Sequence, residues 1–297
     1  MKRIKKLLHN HRFLIFFLIG STALYWFVQY FHWTALTDTQ EPDFFGHFVV
    51  KAKSLASVFT IDPFYPFGYP LLLRLGSLII PNRYLLGKWI NYLSLLLLLS
   101  ATYWYCKKNS SIKNAQITSI LMVSSLLLLE SLFMGTDVLW NVLVFLGIIL
   151  LVEYQKYPKL HLILASAITL GAGCLIRHPA FVIFITCLFW LLATQKQKKW
   201  HHLALFAITV LLINTPQFVL STAQTGSPFY NNQAKNLWFF AYGDREWSEN
   251  WDTIADNENS QAILKKIDPI AVAKNWTTNI AIFLGFPFFL LIPAFVY

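Results

Sequence analysis

The chain has 297 residues, of which 56% are hydrophobic, 17% aromatic and only 13% charged. Ordinary soluble domains carry roughly 25% charged residues, and a water-facing surface of this composition would expose large apolar patches. The composition therefore excludes a soluble domain, a disordered chain and a disulfide-rich secreted scaffold, and it predicts a membrane protein.

The net charge of +10 does not indicate a nucleic-acid partner, because many of the cations stand in short clusters beside apolar runs. This placement is typical of membrane proteins, whose cytoplasmic loops are enriched in Lys and Arg. The three cysteines lie within or at the edge of apolar segments and have no metal-binding spacing.

The apolar runs predict an all-α fold, a polytopic transmembrane helical bundle with about eight spans of roughly 20 residues each. The predicted spans are 13–33, 84–106, 115–134, 138–155, 160–176, 179–194, 203–221 and 279–297. The basic start before the first span has no cleavage site after it, which favours a signal anchor with its N-terminus in the cytoplasm.

Lysine clusters follow the second, fourth and sixth spans, and we expect these turns to face the cytoplasm. The clusters are Lys107, Lys108 and Lys113; Lys156 and Lys159; and Lys196, Lys198 and Lys199. Two long loops, 34–83 and 223–278, then lie on the outer side of a single domain that covers 1–297. Loops of more than about 15 residues are usually functional, so we expect the function on the outer face.

The first outer loop contains a short apolar stretch, Pro70–Ile80. A stretch of about eleven residues is too short to span a bilayer and predicts an interfacial or re-entrant helix. Pro70 suits the first turn of that helix. Before it, Asp62 is predicted to cap a helix or a turn, and aromatic rings that include Tyr69 can line a groove.

Acidic residues open the same loop, just beyond the first span. A helix that begins after Pro42 would place Asp43 and His47, four residues apart, on one face. A carboxylate there can take a proton from an incoming hydroxyl, and Asp38, Asp43 and His47 are candidate ligands for a divalent cation. The alternative is that these acids solvate the loop and that Asp43 caps the next helix.

Two short outer turns also carry candidate residues. Asp137 opens the fourth span, where the alternative role is a helix N-cap. Arg177 and His178 lie between the fifth and sixth spans, and Arg177 is the only Lys or Arg in these short outer turns. A guanidinium is suited to a bidentate grip on phosphate; the alternative is an arginine that anchors to lipid headgroups.

The second outer loop begins with amides mixed with aromatic residues. Tyr230, Asn231 and Asn232 together suit a sugar, whose hydroxyls pair with amides and whose ring stacks on an aromatic face, and Lys235 can meet a phosphate. The alternative is an ordinary interfacial belt of Trp and Tyr.

The order of these motifs resembles that of the GT-C membrane glycosyltransferases. The likeness rests on the basic start, one span, PDFFGH and YPFGYPLLL in the outer loop, Thr136-Asp137 at the fourth span, Arg177 after the fifth, and SPFYNNQAKNLWFFAYG. More narrowly, the chain resembles the bacterial branch related to protein mannosyltransferases and the lipid A aminoarabinose transferase, from about residue 10 to about residue 245. Phe67 and Gly68 stand where that transferase carries Glu-Lys.

The resemblance implies an enzyme of the inner membrane that takes a sugar from a polyprenyl-phosphate donor. The acceptor, a glycan, lipid or protein, would receive the sugar on the periplasmic face. By this likeness Asp43 is the general base and Asp137 the second catalytic acid, while Arg177 holds the lipid phosphate. The remaining donor-binding residues are expected to be His178, His47, Tyr69, Lys235, Tyr230, Asn231 and Asn232.

Two other classes of function remain open from the sequence. A transporter or flippase of lipid-linked or small solutes would use an acid within a span, such as Glu130, as its substrate or proton site. A non-catalytic assembly subunit would need no site at all.

Overall fold

The computed structural model describes residues 12–30, 43–62, 64–123, 134–194, 200–230, 268–270 and 274, without the side chains of residues 28–30 and 43. Within these residues the ordered elements are helices, and no strand occurs among them. The predicted all-α class is therefore confirmed for this part of the chain.

The helices follow the apolar runs of the sequence. They are α1 (Arg12–Tyr30), a π-helix (Asp43–Val49), α2 (Leu55–Val58), α3 (Gly68–Gly76), α4 (Arg83–Asn109), α5 (Ile112–Val123), α6 (Asp137–Lys156), α7 (Leu160–Ile176), α8 (Ala180–Thr194) and α9 (Trp200–Thr225). Helices α1 and α4 to α9 lie at the first seven predicted spans. The eighth, 279–297, lies outside the described residues, as does Glu130.

Three of the described helices, α4, α6 and α9, are long and apolar enough to cross a membrane. Helices α1, α7 and α8 are shorter apolar helices. Their outward faces carry large apolar side chains, such as Val182, Phe189 and Leu212, which are 64%, 65% and 65% exposed. Such faces need an apolar surrounding, so the chain is a membrane protein, while the count of eight spans stays a prediction.

The chain divides into two compact units. The first, which we name the helical unit, holds residues 1–61 and 65–228, and the second holds residues 62–64 and 229–297. In the second unit, Asp62 Oδ1 accepts a hydrogen bond from the backbone N–H of Phe64 at 2.8 Å. Asp62 therefore caps a turn, which confirms its predicted role.

Small residues bring α6, α7 and α9 close together inside the helical unit. Ser166 Oγ on α7 donates to the carbonyl of Gly147 on α6 at 2.7 Å, and Asn214 Nδ2 on α9 donates to the carbonyl of Gly171 at 3.1 Å. A Cβ on Gly147 would lie 2.5 Å from Leu170 Cγ. Close approach through small residues and interhelical hydrogen bonds is typical of helices packed in membranes, and it holds α6 and α7 side by side.

Helix α3 confirms the short helix predicted in the first outer loop. It has nine residues, and Pro70 lies in its first turn. A Cβ on Gly68 would lie 2.3 Å from the carbonyl oxygen of Leu175, so the glycine allows the start of α3 to touch the backbone at the end of α7. This contact positions α3 against the residues that precede Arg177.

Candidate functional site

The centre of the candidate site is an ion pair between Asp137 and Arg177. Asp137 is the first residue of α6, and Arg177 follows the last residue of α7 in an extended conformation. Because α6 and α7 are neighbours that run in opposite directions, the start of one meets the end of the other. Arg177 Nη1 donates to Asp137 Oδ1.

The sequence offered two roles for Asp137, a site acid and a helix N-cap. The N-cap position of α6 is occupied by Thr136, and Asp137, the first residue of the helix, pairs with Arg177. The Asp137 side chain is 47% exposed and that of Arg177 is 29% exposed. Both groups therefore remain accessible to a ligand.

The ion pair borders a buried apolar cluster, which we name the site cluster. Its buried members come from the π-helix and the segment after it, from α3 and α4, from the segment just before α6, and from the end of α7. They are Phe44, Phe48, Ala52, Tyr69, Leu73, Leu86, Met134 and Ile176. Ile176 precedes Arg177, and Met134 lies three residues before Asp137. The cluster thus joins the first outer loop to the two turns that carry the ion pair.

The π-helix brings the backbone of Asp43 to this same end of the helical unit. It begins directly after Pro42, which confirms the predicted start of a helix. Its form is that of a π-helix, which is rare and is frequent at functional sites. Phe44 is fully buried, and a Cβ on Gly87 would lie 2.7 Å from its ring. The residue next to Asp43 is therefore anchored on α4. The side chain of Asp43 and all of Asp38 lie outside the described residues.

The other predicted residues of the first outer loop belong to the aromatic part of the cluster. The ring of His47 lies 5.9 Å from that of Tyr65 between centroids, and Tyr69 packs edge-on to Phe48 at 4.9 Å. Tyr69 is fully buried. Its side chain therefore belongs to the buried interior of the site cluster and does not line an open surface.

The remaining predicted residues lie in the turn before α8 and at the start of the second outer loop. His178 follows Arg177 in the turn before α8, where its carbonyl accepts from the N–H of Phe181 at 3.0 Å. Tyr230 belongs to the second unit and is partly exposed. Asn231, Asn232 and Lys235 lie outside the described residues, and their roles stay predictions.

Metal binding by the predicted ligands also stays a prediction. Within the described part of the chain, no group of three or more His, Cys, Asp or Glu side chains is arranged to hold a metal ion. Of the three predicted ligands, only the side chain of His47 belongs to that part.

One residue near the ion pair escaped the sequence reasoning. Trp140 lies one turn after Asp137 on α6, and its Nε1–H is buried without a hydrogen-bond partner among the described residues. Buried polar groups of this kind are uncommon. This donor lies one turn from the ion pair, but its buried nitrogen exposes no surface that a water molecule can touch, so the Trp140 ring must turn before the N–H can meet a ligand.

A second overlooked residue is Lys88, which lies inside α4 and is only 8% exposed. Its Nζ lies 4.3 Å from the centroid of the Tyr84 ring, and Tyr84 in turn stacks on Phe45 of the π-helix at 6.0 Å. The signal was present in the sequence, because a cation within a predicted span marks a functional position by default.

Comparison of the chain with models of known protein families, with curated proteins and with solved structures finds no match. The chemistry of the site therefore rests on its own residues.

An arginine has five N–H donors in a planar fork, and among the described residues the Arg177 side chain makes a polar contact only with Asp137. The remaining donors can hold an oxyanion such as a phosphate.

Proposed function

We propose that the chain is a membrane glycosyltransferase of the GT-C type. In this proposal it moves a sugar from a polyprenyl-phosphate donor to a glycan, lipid or protein acceptor on the periplasmic face of the bacterial inner membrane. The observation that carries the proposal is the accessible Asp137–Arg177 ion pair, which lies at the same end of the helical unit as the π-helix that starts with Asp43.

In the proposed mechanism the donor approaches from the lipid. Its polyprenyl tail lies along the apolar outward faces of the helices, and its phosphate binds the guanidinium of Arg177. Asp137 keeps Arg177 oriented before the donor binds, because a fixed charge needs no reorganisation when the ligand arrives. The Nε1–H of Trp140 can meet a further oxygen of the donor once the Trp140 ring turns toward the bound donor.

The chemical step is a single displacement at the anomeric carbon. The acceptor oxygen or nitrogen forms a bond to this carbon while the bond from the carbon to the phosphate oxygen breaks. Asp43 takes the proton from the acceptor, and the polyprenyl phosphate leaves with its charge stabilised by Arg177. One displacement inverts the configuration of the sugar.

The test of this proposal uses membranes that contain the full chain and a panel of labelled polyprenyl-phosphate sugars. At least one label should move to an acceptor, and Asp43→Asn should lower its turnover by about 10²–10⁴, the usual contribution of a general base. Asp268→Asn, an exposed acid in the second unit, is the matched control and should keep normal turnover.

Two results would reject the proposal. One is the absence of transfer from every donor of the panel by the chain in its native membrane. The other is near-normal turnover of Asp43→Asn. Tagging of the segment around residue 43 provides a separate check, because the mechanism requires this segment on the periplasmic side.

A further inference from the structure

The end of the helical unit opposite to the ion pair carries a second charged cluster. We name it the basic end and define it by Lys107, Lys108, Lys113, Lys156 and Lys159. Helix α6 runs from Asp137 to Lys156 over 20 residues. At about 1.5 Å per residue it separates the two ends by roughly 28 Å, close to the ~30 Å thickness of the hydrocarbon core.

A buried glutamate organises the basic end. Glu153 on α6 is 4% exposed, and its Oε2 accepts a hydrogen bond from Lys108 Nζ of α4. Lys156 Nζ lies 3.8 Å from the other oxygen, Oε1. Lys156 Nζ also donates to Asn109 Oδ1 at 2.5 Å. One carboxylate therefore draws the ammonium groups of two helices to one point at the surface.

Exposed aromatic rings surround these two lysines. Lys108 Nζ lies 5.1 Å from the ring of Trp104 and 5.8 Å from that of Tyr157, and both rings are more than half exposed. Trp and Tyr prefer the headgroup level of a bilayer. The combination of these rings with lysines suits the headgroup level of a bilayer, where lipid phosphates lie.

The charges of the basic end are not balanced. The five lysines face one glutamate, because Glu153 is the only acid among the described residues 100–116, 150–162, 191–194 and 200–206. The excess is four positive charges, five minus one. Lys113 and Lys159 are exposed, so their charges are available to a ligand without rearrangement of the Glu153 cluster.

We propose that the basic end binds the phosphate headgroup of an anionic phospholipid in the leaflet that it faces. Lys108 and Lys156, held by Glu153, form the fixed part of the site, and the exposed Lys113 and Lys159 supply two further positive charges. Basic sites between membrane helices bind such headgroups. This site is separate from the glycosyltransferase site and does not depend on the proposed function.

The test measures lipid retention by the purified full chain in native mass spectrometry, with titration of phosphatidylglycerol, phosphatidylcholine or inorganic phosphate. The chain should retain phosphatidylglycerol in preference to phosphatidylcholine. Each lysine near a charged lipid surface contributes about a fivefold increase in affinity, so Lys113→Gln with Lys159→Gln should weaken phosphatidylglycerol binding about 25-fold.

Two controls separate charge from folding and from position. The double change Lys113→Arg with Lys159→Arg keeps the charges and should keep the binding. Lys53→Gln removes one exposed lysine next to Ala52 of the site cluster, at the opposite end, and should have no effect. Circular dichroism of each variant checks that the helices are intact.

Three outcomes would overturn the proposal. The wild-type chain could retain the two phospholipids equally, or the double Gln variant could bind phosphatidylglycerol as well as the wild type. The third is displacement of phosphatidylglycerol by millimolar inorganic phosphate, which would assign the site to a soluble anion instead of a lipid.

Discussion

The two ends of the helical unit each hold an acid paired with a cation, but the two pairs differ in burial. At one end the Asp137 side chain is 47% exposed and has one partner, Arg177. At the other end the Glu153 side chain is 6% exposed and lies between Lys108 and Lys156. The Asp137 carboxylate at the start of α6 is accessible to a ligand. The Glu153 carboxylate near the end of α6 is buried, and only its lysine partners, 41% and 43% exposed, reach the surface.

This difference in burial indicates whether each ion pair contributes to stability or to ligand binding. Exposed ion pairs add only about 0–1 kcal/mol to stability, so stability alone gives little reason for the Asp137–Arg177 pair, and the proposal assigns it to donor binding. A carboxylate in a protein interior must be paired, and removal of one partner leaves an uncompensated charge. The Glu153 carboxylate is thus expected to matter for folding and the Asp137–Arg177 pair for donor binding.

The largest of the effects that test this comparison is expected for Arg177→Ala. The variant should raise the KM for the donor about 10–100-fold, because a hydrogen bond to a charged group contributes about 1.5–3 kcal/mol. Its thermal unfolding in membranes should stay within a few degrees of the wild type. The measurement is sugar transfer as a function of donor concentration.

The companion variant is Asp137→Asn, which keeps the guanidinium but removes the carboxylate that orients it. It should raise the KM for the donor less than Arg177→Ala does, because the phosphate still meets the charged guanidinium. An unchanged KM in Arg177→Ala, or a loss of folded protein in that variant, would reverse the roles assigned to the two ends.

The next effect in size is expected for Glu153→Gln, and it concerns stability. The substitution leaves two lysines beside a neutral amide, and because both can reach water we expect a loss of about 1–2 kcal/mol, below the 3–5 kcal/mol of a fully buried pair. The midpoint of thermal unfolding in detergent micelles should fall, while the donor KM of the remaining folded protein should stay unchanged. A raised KM without a lower midpoint would contradict the comparison.

The smallest effect is expected for Trp140→Phe. This change removes the unsatisfied indole N–H and keeps an aromatic ring, so stability should be maintained within about 1 kcal/mol. If the N–H binds the donor or a bridging water, the KM for the donor should rise severalfold, in line with about 0.5–1.5 kcal/mol for a neutral hydrogen bond. The KM for the donor is measured in a kinetic assay at a saturating concentration of the acceptor. Equal KM values for the variant and the wild type would remove Trp140 from the site.

Much of the fold was predictable because each helix is encoded by its own apolar run. Helices α4, α6, α7 and α8 lie within a few residues of the predicted spans, and α3 begins where Pro70 and the aromatic residues before it placed a short helix. Two of the predicted basic turns lie at the same end of the helical unit, since Lys108 and Lys156 both pair with Glu153. Local composition and helix geometry suffice for such conclusions.

The candidate site was predictable only as a set of residues. Asp137 and Arg177 were selected separately, and their separation by 40 residues gives no sign that they bind one another. Lys88 could have been selected from the sequence as a cation within a predicted span. Trp140 could not, because the state of a polar atom inside a helix depends on what neighbouring helices place beside it. The π-helix that starts at Asp43 was not predicted either, because Phe44 beside it packs against Gly87 of a distant helix.

By itself, the sequence determined that this chain is helical and membrane-bound, and which of its turns are basic and which carry the candidate acids. These properties follow from composition and from the fixed length of a helix that crosses a bilayer. Only the tertiary structure decided that Arg177 pairs with Asp137 at an accessible surface while Glu153 is enclosed between two lysines. Pairing between distant residues is set by the packing of α4, α6 and α7, where glycines allow the helices to approach, and that packing is a property of the assembled bundle.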